Sequence, residues 1–289
     1  MPASLPRLLR VHAEPSRHGH HGAQLSDYRG EDLVTATLAL ARRVRPVHIS
    51  IIGGEALVRY RELCEILPQP DRMGIEVQVV TSAARPIPEE WNSIESLHLV
   101  VSIDGLAPEH DRRRAPATYD RILKHILRQR ITVHCTVTRQ MLERPGYLAE
   151  FSRFWSRRPE VRQIWFSTYT PQEGEISPER RTRPDRAVLF EQLSEVAAEF
   201  PKVHLPRIVL EAYRNPPRSP GECTFARLTT CLSADLKTHI GPCQLGGKPV
   251  CEECSCLASI GMHAVARVKL GGILPLSAIL NASIGRIAI

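Results

Sequence analysis

Two groups of residues in this 289-residue chain have the types and spacing for chemistry. The first is Gly53-Gly54-Glu55, which closes the apolar run His48-Ile-Ser-Ile-Ile52. A buried strand ending in a glycine turn brings backbone N–H and C=O groups, plus one carboxylate, to the carboxyl edge of a sheet. That edge is where α/β folds bind ligands. Carbonyls and a carboxylate are the acceptors an ammonium group needs. Taken alone, the stretch reads equally as an ordinary strand-to-helix turn, with glycines for positive φ and an acid at the helix start. The second group is a run of thiols. Six of the eight cysteines lie between Cys223 and Cys256. Cys251-Glu-Glu-Cys254 has the two-residue spacing that lets two thiolates face one metal, and Gly241-Pro-Cys243 sets another thiolate on a turn. Cys231, Cys256 and Cys223 lie in the same run. Such a set builds either a structural zinc knob or an iron–sulfur centre.

Other reactive side chains read as structural. Cys64 and Cys135 fall inside apolar patterns and are expected as buried packing. The cluster His18-Gly-His-His21 has nothing near it in sequence to complete a ligand set, and reads as a solvated loop.

The elements that must position these residues follow a rhythm. The periodicity predicts a helix over 27–44, with Leu33, Thr37, Leu40 and Val44 on one face. Strands are predicted at 47–52, 77–81, 97–102, 131–137 and 163–167, with helical faces between them at Tyr60–Leu67, Tyr119–Ile126, Leu148–Trp155 and Leu189–Phe200. Strands alternating with helices imply a parallel sheet, since each parallel crossover needs an intervening connection. Near-continuous apolar strands imply that both faces are covered. The strand ends carry polar groups in sequence: Gly53-Gly54-Glu55, Thr81-Ser82, and Ser102-Ile-Asp104-Gly105. After Pro201 the character changes, with Pro206, Pro216, Pro217 and Pro220 ahead of the cysteines and an apolar, glycine-interrupted tail from Gly261. The chain therefore divides into an irregular segment 1–26, an α/β barrel 27–205 and a cysteine-rich module with its tail at 206–289.

Bulk properties set bounds on partners. The net charge of +7 comes from 38 basic and 31 acidic residues spread along the chain, and aromatics make up only 5%. Without a basic run or an aromatic platform, nucleic acid is not an expected partner. No apolar run is long enough to span a bilayer, and residues 1–26 lack the apolar region of a secretory signal, so the expectation is a cytoplasmic protein without a membrane partner. Reducing conditions there argue against a disulfide framework.

In order and spacing, several of these segments resemble the radical S-adenosylmethionine (SAM) superfamily. Gly53-Gly-Glu-Ala-Leu57 is similar to that family's GGEPL turn. Ser102-Ile-Asp-Gly105, His110-Asp111, Arg114 and Thr118-Tyr-Asp120 are similar to its SxDG…HDxxR…(F/Y)D segment, and ITVHCTVT over 131–138 to the strand that follows. The resemblance covers about residues 30–170. It implies that Gly53, Gly54 and Glu55 bind the amino end of SAM. It implies that Ser102 and Asp104 contact the rest of that cofactor, and that Arg112 or Arg114 pairs with its carboxylate. The C-terminal cysteines resemble the SPASM or twitch extension of such enzymes. This implies an auxiliary [4Fe-4S] cluster on Cys231, Cys243, Cys251 and Cys254, with Cys256 or Cys223 as substitutes.

One departure matters. The family holds its catalytic [4Fe-4S] cluster with CxxxCxxC in the loop after its first strand, upstream of the Gly-Gly-Glu turn. Here the first cysteine is Cys64, already past that turn. The expected fold is therefore α/β, a partial (β/α) barrel of the radical SAM type lacking its first strand, plus a small cysteine-rich module. The resemblance implies reductive cleavage of SAM and hydrogen abstraction from a small-molecule or peptide substrate, with an electron donor as partner. The sequence would then be N-terminally incomplete and without its catalytic cluster ligands. The rival expectation is a non-catalytic barrel that binds SAM or a partner and keeps a structural zinc or a single iron–sulfur site.

Overall fold

The computed structural model describes residues 8–12, 28–270 and 274–275. The His18-Gly-His-His21 cluster, and most of the apolar tail expected to pack back on the body, lie outside the described residues. The body is one seven-stranded sheet in which every pairing is parallel. Its strands are β1 (Leu8–His12), β2 (His48–Ile52), β3 (Glu76–Thr81), β4 (Leu97–Ser102), β5 (Ile131–Val137), β6 (Val161–Thr168) and β7 (Thr229–Leu232). Their order across the sheet is β6-β5-β4-β3-β2-β1-β7.

The strands form where β-branched residues alternate. In β5, Ile131, Val133, Cys135 and Val137 are buried, while Thr132, His134 and Thr136 between them are half-buried on the other face. The buried set packs under the crossover helices, which is why each strand reads as apolar. Helix α1 (Gly30–Val44) buries Thr37, Leu40 and Ala41. Helix α2 (Tyr147–Ser156) buries Leu148, Phe151 and Trp155, and Phe151 meets Phe166 of β6 at 5.9 Å between ring centres. Helices α3 (Arg183–Glu199), α4 (Arg207–Arg214) and α5 (Leu257–Ala266) continue the layer, with α4 and α5 packed together. Tyr213 of α4 is fully buried, and its hydroxyl donates to the Phe166 carbonyl, tying the later part of the chain to β6. Among the described residues, no helix is long and apolar enough to cross a membrane.

Two strands of this sheet differ from expectation. The sheet does not lack a strand ahead of the Gly-Gly-Glu strand: β1 is there, with His12 opposite Ile52 of β2 on one side and Arg10 opposite Cys231 of β7 on the other. The stretch Leu-Leu-Arg-Val-His is five residues long, with an arginine at its centre and Pro6 and Pro15 close by. So short a run carries no decisive period, and pairing on both sides makes it a strand. The second difference is β7. It comes from the cysteine-rich region, yet it is an edge strand of the same sheet.

Candidate functional site

At the carboxyl end of β2, Gly53 has φ 140°, in the region that favours glycine. The chain then turns so that Glu55 caps the short helical turn Ala56–Arg59. Its Oε1 accepts from the Leu57 amide at 2.9 Å and from the Thr81 hydroxyl at 2.5 Å. Its Oε2 accepts from the Ser82 amide at 2.9 Å and from the Ser82 hydroxyl. A carboxylate has about four acceptor positions, so this one is filled. Glu55 staples the β2 turn to the end of β3. An ammonium group arriving here meets backbone carbonyls rather than a free carboxylate.

The end of β4 is built in a similar way. Asp104 is 1% exposed. Its Oδ1 accepts from the Thr136 amide at 2.9 Å, and its Oδ2 from Arg114 at 2.7 and 2.6 Å, with Arg113 at 3.5 Å. Burial pushes its carboxyl up, but Arg114 and Arg113 outweigh that and hold it below the usual carboxylate range. His110 is fully buried and closes the loop. The Asp104 amide donates to Nδ1 at 3.0 Å, and Nε2 lies 2.8 Å from the Ala117 carbonyl. An N–H aimed at Nδ1 needs a lone pair there, which places the proton on Nε2 and leaves the ring neutral. Asp111 accepts from the Tyr119 amide, and the Tyr119 hydroxyl donates to the Gly105 carbonyl at 2.8 Å. The segment 102–120 is thus an internal lock. Arg114, expected on a ligand carboxylate, is committed to Asp104, while Arg112 is exposed.

A row of polar residues, of which the sequence singled out Ser102 alone, crosses the rim beside this lock. Ser102 stands opposite His134 of β5, and His134 Nε2 lies 2.8 Å from the Ser167 hydroxyl on β6. Ser167 also accepts from the Leu257 amide at 2.9 Å. Nearby, the Thr168 amide donates to the Ser255 carbonyl at 3.1 Å, so the last cysteine segment lies across the end of β6. The same face carries half-buried Gln78, Thr132, Gln163 and Trp165. The signal for it is the strict alternation of apolar and polar residues along β5.

The cysteines gather where the later chain folds back. Cys223, Cys243, Cys251 and Cys254 line one small cavity with Pro217, Pro220 and Pro249. Three of these thiols receive backbone N–H bonds: Cys223 from Phe225 and Ala226, Cys243 from Leu245, Cys254 from Cys256. Donors of this kind stabilise a thiolate once it forms. Burial pushes the Cys243 and Cys254 thiols up to about 12, so both are protonated without a cation. None of the eight cysteines is in a disulfide. Among the described residues, no three Cys, His, Asp or Glu side chains stand ready-arranged around a metal position. Of the five expected ligands, Cys243, Cys251 and Cys254 line the cavity. Cys231 is buried in β7, clustered with Cys223 and Phe225, and Cys256 accepts from the Gln244 amide group. Cys223, the substitute, is in the lining. Cys135 is buried packing as expected, and Cys64 accepts from the Trp91 ring N–H at 3.3 Å.

No model of a known protein family matches the chain, and no curated protein sequence matches it. Among solved structures, the chain is similar to the crystal structure of Streptococcus suis SuiB bound to S-adenosylmethionine. The identity is 16% and the TM-score 0.54, over 80% of this chain and 57% of SuiB. A structure of TYW1 with a lysine-pyruvate adduct bound is 16% identical with a TM-score of 0.41, over 68% of this chain and 71% of that one. The chain thus spans little more than half the length of SuiB, and at this identity the likeness is one of fold.

Proposed function

We propose that this chain is a radical SAM-type barrel that binds SAM at the β2 rim without cleaving it, and that it carries one thiolate-held metal centre in its C-terminal region. The observation that carries this reading is β1. A strand precedes the Gly-Gly-Glu strand, and the connection from His12 to α1 contains His18, His20 and His21 but no cysteine. In the resembled family that connection supplies three thiolates to the catalytic cluster. These residues do not fit that cluster, and no step is derived through it. The strand expected to be missing ahead of the Gly-Gly-Glu strand is within the chain.

The SAM site is supported by the turn geometry and by a fold like that of SuiB, which was solved with SAM. In this reading the backbone of Gly53 and Gly54 takes the ammonium, Glu55 fixes the turn, and Ser102 faces the remainder of the ligand. Asp104 and Arg114 act one step back by holding the β4 end rigid. The occupant of the face lined by Gln78, His134, Gln163 and Trp165 is a small molecule or peptide.

The centre fits the donor set better at Cys223, Cys243, Cys251 and Cys254 than at the set drawn from spacing alone, since those four share a cavity and three already receive N–H donors. An auxiliary [4Fe-4S] cluster there would supply electron transfer. The chain's own residues would hold it dry behind the prolines.

Anaerobic reconstitution tests both halves. One cluster's iron and sulfide per chain is expected, with calorimetric SAM binding and no 5′-deoxyadenosine under reductant. Deoxyadenosine formation overturns the non-cleaving reading. Zinc without iron overturns the cluster, and no heat of SAM binding overturns the rim site.

A further inference from the structure

We infer that residues 169–182, the connection from β6 to α3, form a strap that makes the carboxyl end of β4 and the segment 248–257 respond as one unit, so that a ligand held at the rim steadies the cysteine region. The inference rests on the rim site proposed above and adds Arg113, Glu179 and Arg180 to it as positioning residues.

The strap grips both neighbours. On the cysteine side Gln172 forms an antiparallel bridge with Pro249. The Val250 amide donates to the Pro171 carbonyl at 2.9 Å and the Glu173 amide to the Lys248 carbonyl at 2.8 Å. The Lys248 amide donates to Gln172 Oε1 at 2.7 Å, and the Ser255 amide to the Thr170 hydroxyl at 3.3 Å. Between these anchors Arg180 holds the Glu253 carboxylate, through Nε at 3.1 Å and through Nη2, while Arg181 donates to the Glu253 carbonyl at 3.4 Å. The Cys251–Cys254 knuckle is thus pinned before, within and after. On the rim side the Tyr169 amide donates to the Val137 carbonyl at 3.1 Å, and the Arg139 amide to the Glu179 carbonyl at 3.2 Å, both at the end of β5. The Glu179 carboxylate takes Arg113 Nη2 at 2.9 Å. Inside the strap, Glu175 accepts from the Gln172 amide at 2.8 Å and from the Tyr169 hydroxyl.

Coupling between two sites needs an element with two arrangements that both sites bias. Arg113 stands in that position. It lies 2.9 Å from Glu179 and 3.5 Å from Asp104. Arg114 already holds Asp104 at 2.7 and 2.6 Å, so Arg113 is the cation that the β4 end and the strap share. Glu179 and Arg180 are adjacent in the chain. The first faces the β4 lock and the second faces the knuckle. A shift of the β4 end therefore reaches Glu253 through two ion pairs and one peptide unit. Asp104 is two residues from Ser102, so a ligand held by Ser102 and the Gly53-Gly54 turn stiffens the end that Arg113 reads.

The test is hydrogen exchange read by mass spectrometry on the full chain as purified, with and without SAM, alongside calorimetry of SAM binding. Wild-type segment 248–257 is expected to exchange about five-fold or more slowly with SAM, a usual size for coupling between sites. Glu179→Gln and Arg180→Gln each remove one ion pair and keep side-chain size. Both should still bind SAM and lose most of the SAM-dependent slowing. A merely structural role would speed exchange equally with and without SAM and leave the ratio unchanged. Arg207→Gln, which breaks the exposed Arg207–Glu211 pair in α4, should keep the wild-type ratio. Thermal melts check that each variant folds. A wild-type ratio near one with SAM bound overturns the strap, and so does a wild-type ratio in both Gln variants. No SAM binding by wild type overturns the rim site instead, and Arg113→Gln then decides the strap. That variant should speed exchange over 248–257 without any ligand, and unchanged exchange there overturns the strap.

Discussion

His110 illustrates how a residue's type and its role part company. His110, ahead of Asp111 and a few residues past a strand end, adds a polar group near the rim in sequence, yet its ring is buried and both nitrogens are spent on backbone. Burial is the main force lowering its pKa. The unfolded chain takes up a proton at this position below pH about 6.5, while the folded ring resists it. Stability therefore falls as pH drops through that value. A second loss follows below pH about 4, where the unfolded chain protonates the aspartate that Arg114 and Arg113 keep ionised in the fold. Urea titrations from pH 7 to 5 should give a shallower pH slope for His110→Asn than for wild type, on a lower overall stability. Identical slopes would mean that the ring does not titrate with folding. Glu55 and Asp104 carry the same lesson. Their positions were legible, but their partners were not, because Thr81, Ser82 and Thr136 lie on other strands.

At the scale of elements, the boundaries of β4 and β5 agree with the sequence pattern residue for residue, and α1 begins three residues later than expected. Long periodic segments state their own type. The turn after β4 states its need for glycine less openly. Gly105 has φ 111°, and a Cβ there would lie 2.7 Å from the Tyr147 hydroxyl, which accepts from the Leu106 amide. Gly74 has φ 67° with nothing within 4 Å of the same added atom. Gly74→Ala should therefore cost about 1 kcal/mol from backbone strain. Gly105→Ala should cost about 2–3 kcal/mol or more, since Tyr147 must move as well. Chemical denaturation compares the two, and equal losses would remove any special role for the Tyr147 contact.

At the scale of the whole molecule, β1 joins the two halves of the chain. It lies between β2, which leads to the Gly-Gly-Glu turn, and β7, which carries Cys231. Val11 pairs with Ile51 on one side and Leu232 on the other. Val11→Pro puts a ring where a strand paired on both sides needs an N–H. The expected cost is about 2 kcal/mol or more. Loss of a single melting transition and faster protease cleavage after residue 214 should follow, and one transition at the wild-type temperature would show that β7 does not depend on β1. The sequence by itself determined the alternating α/β body, the polar strand ends and the concentration of thiols, because periodicity, glycine and cysteine act through near neighbours. Tertiary structure alone decided that Leu8–His12 is a strand, that Cys223 joins the thiol cavity, that Glu55 is held by Thr81 and Ser82 and Asp104 by Thr136 and Arg114, and that Arg181 stands beside the Cys-x-x-Cys knuckle. Each of these depends on a partner far away along the chain. No local pattern records such a partner until the sheet closes around it.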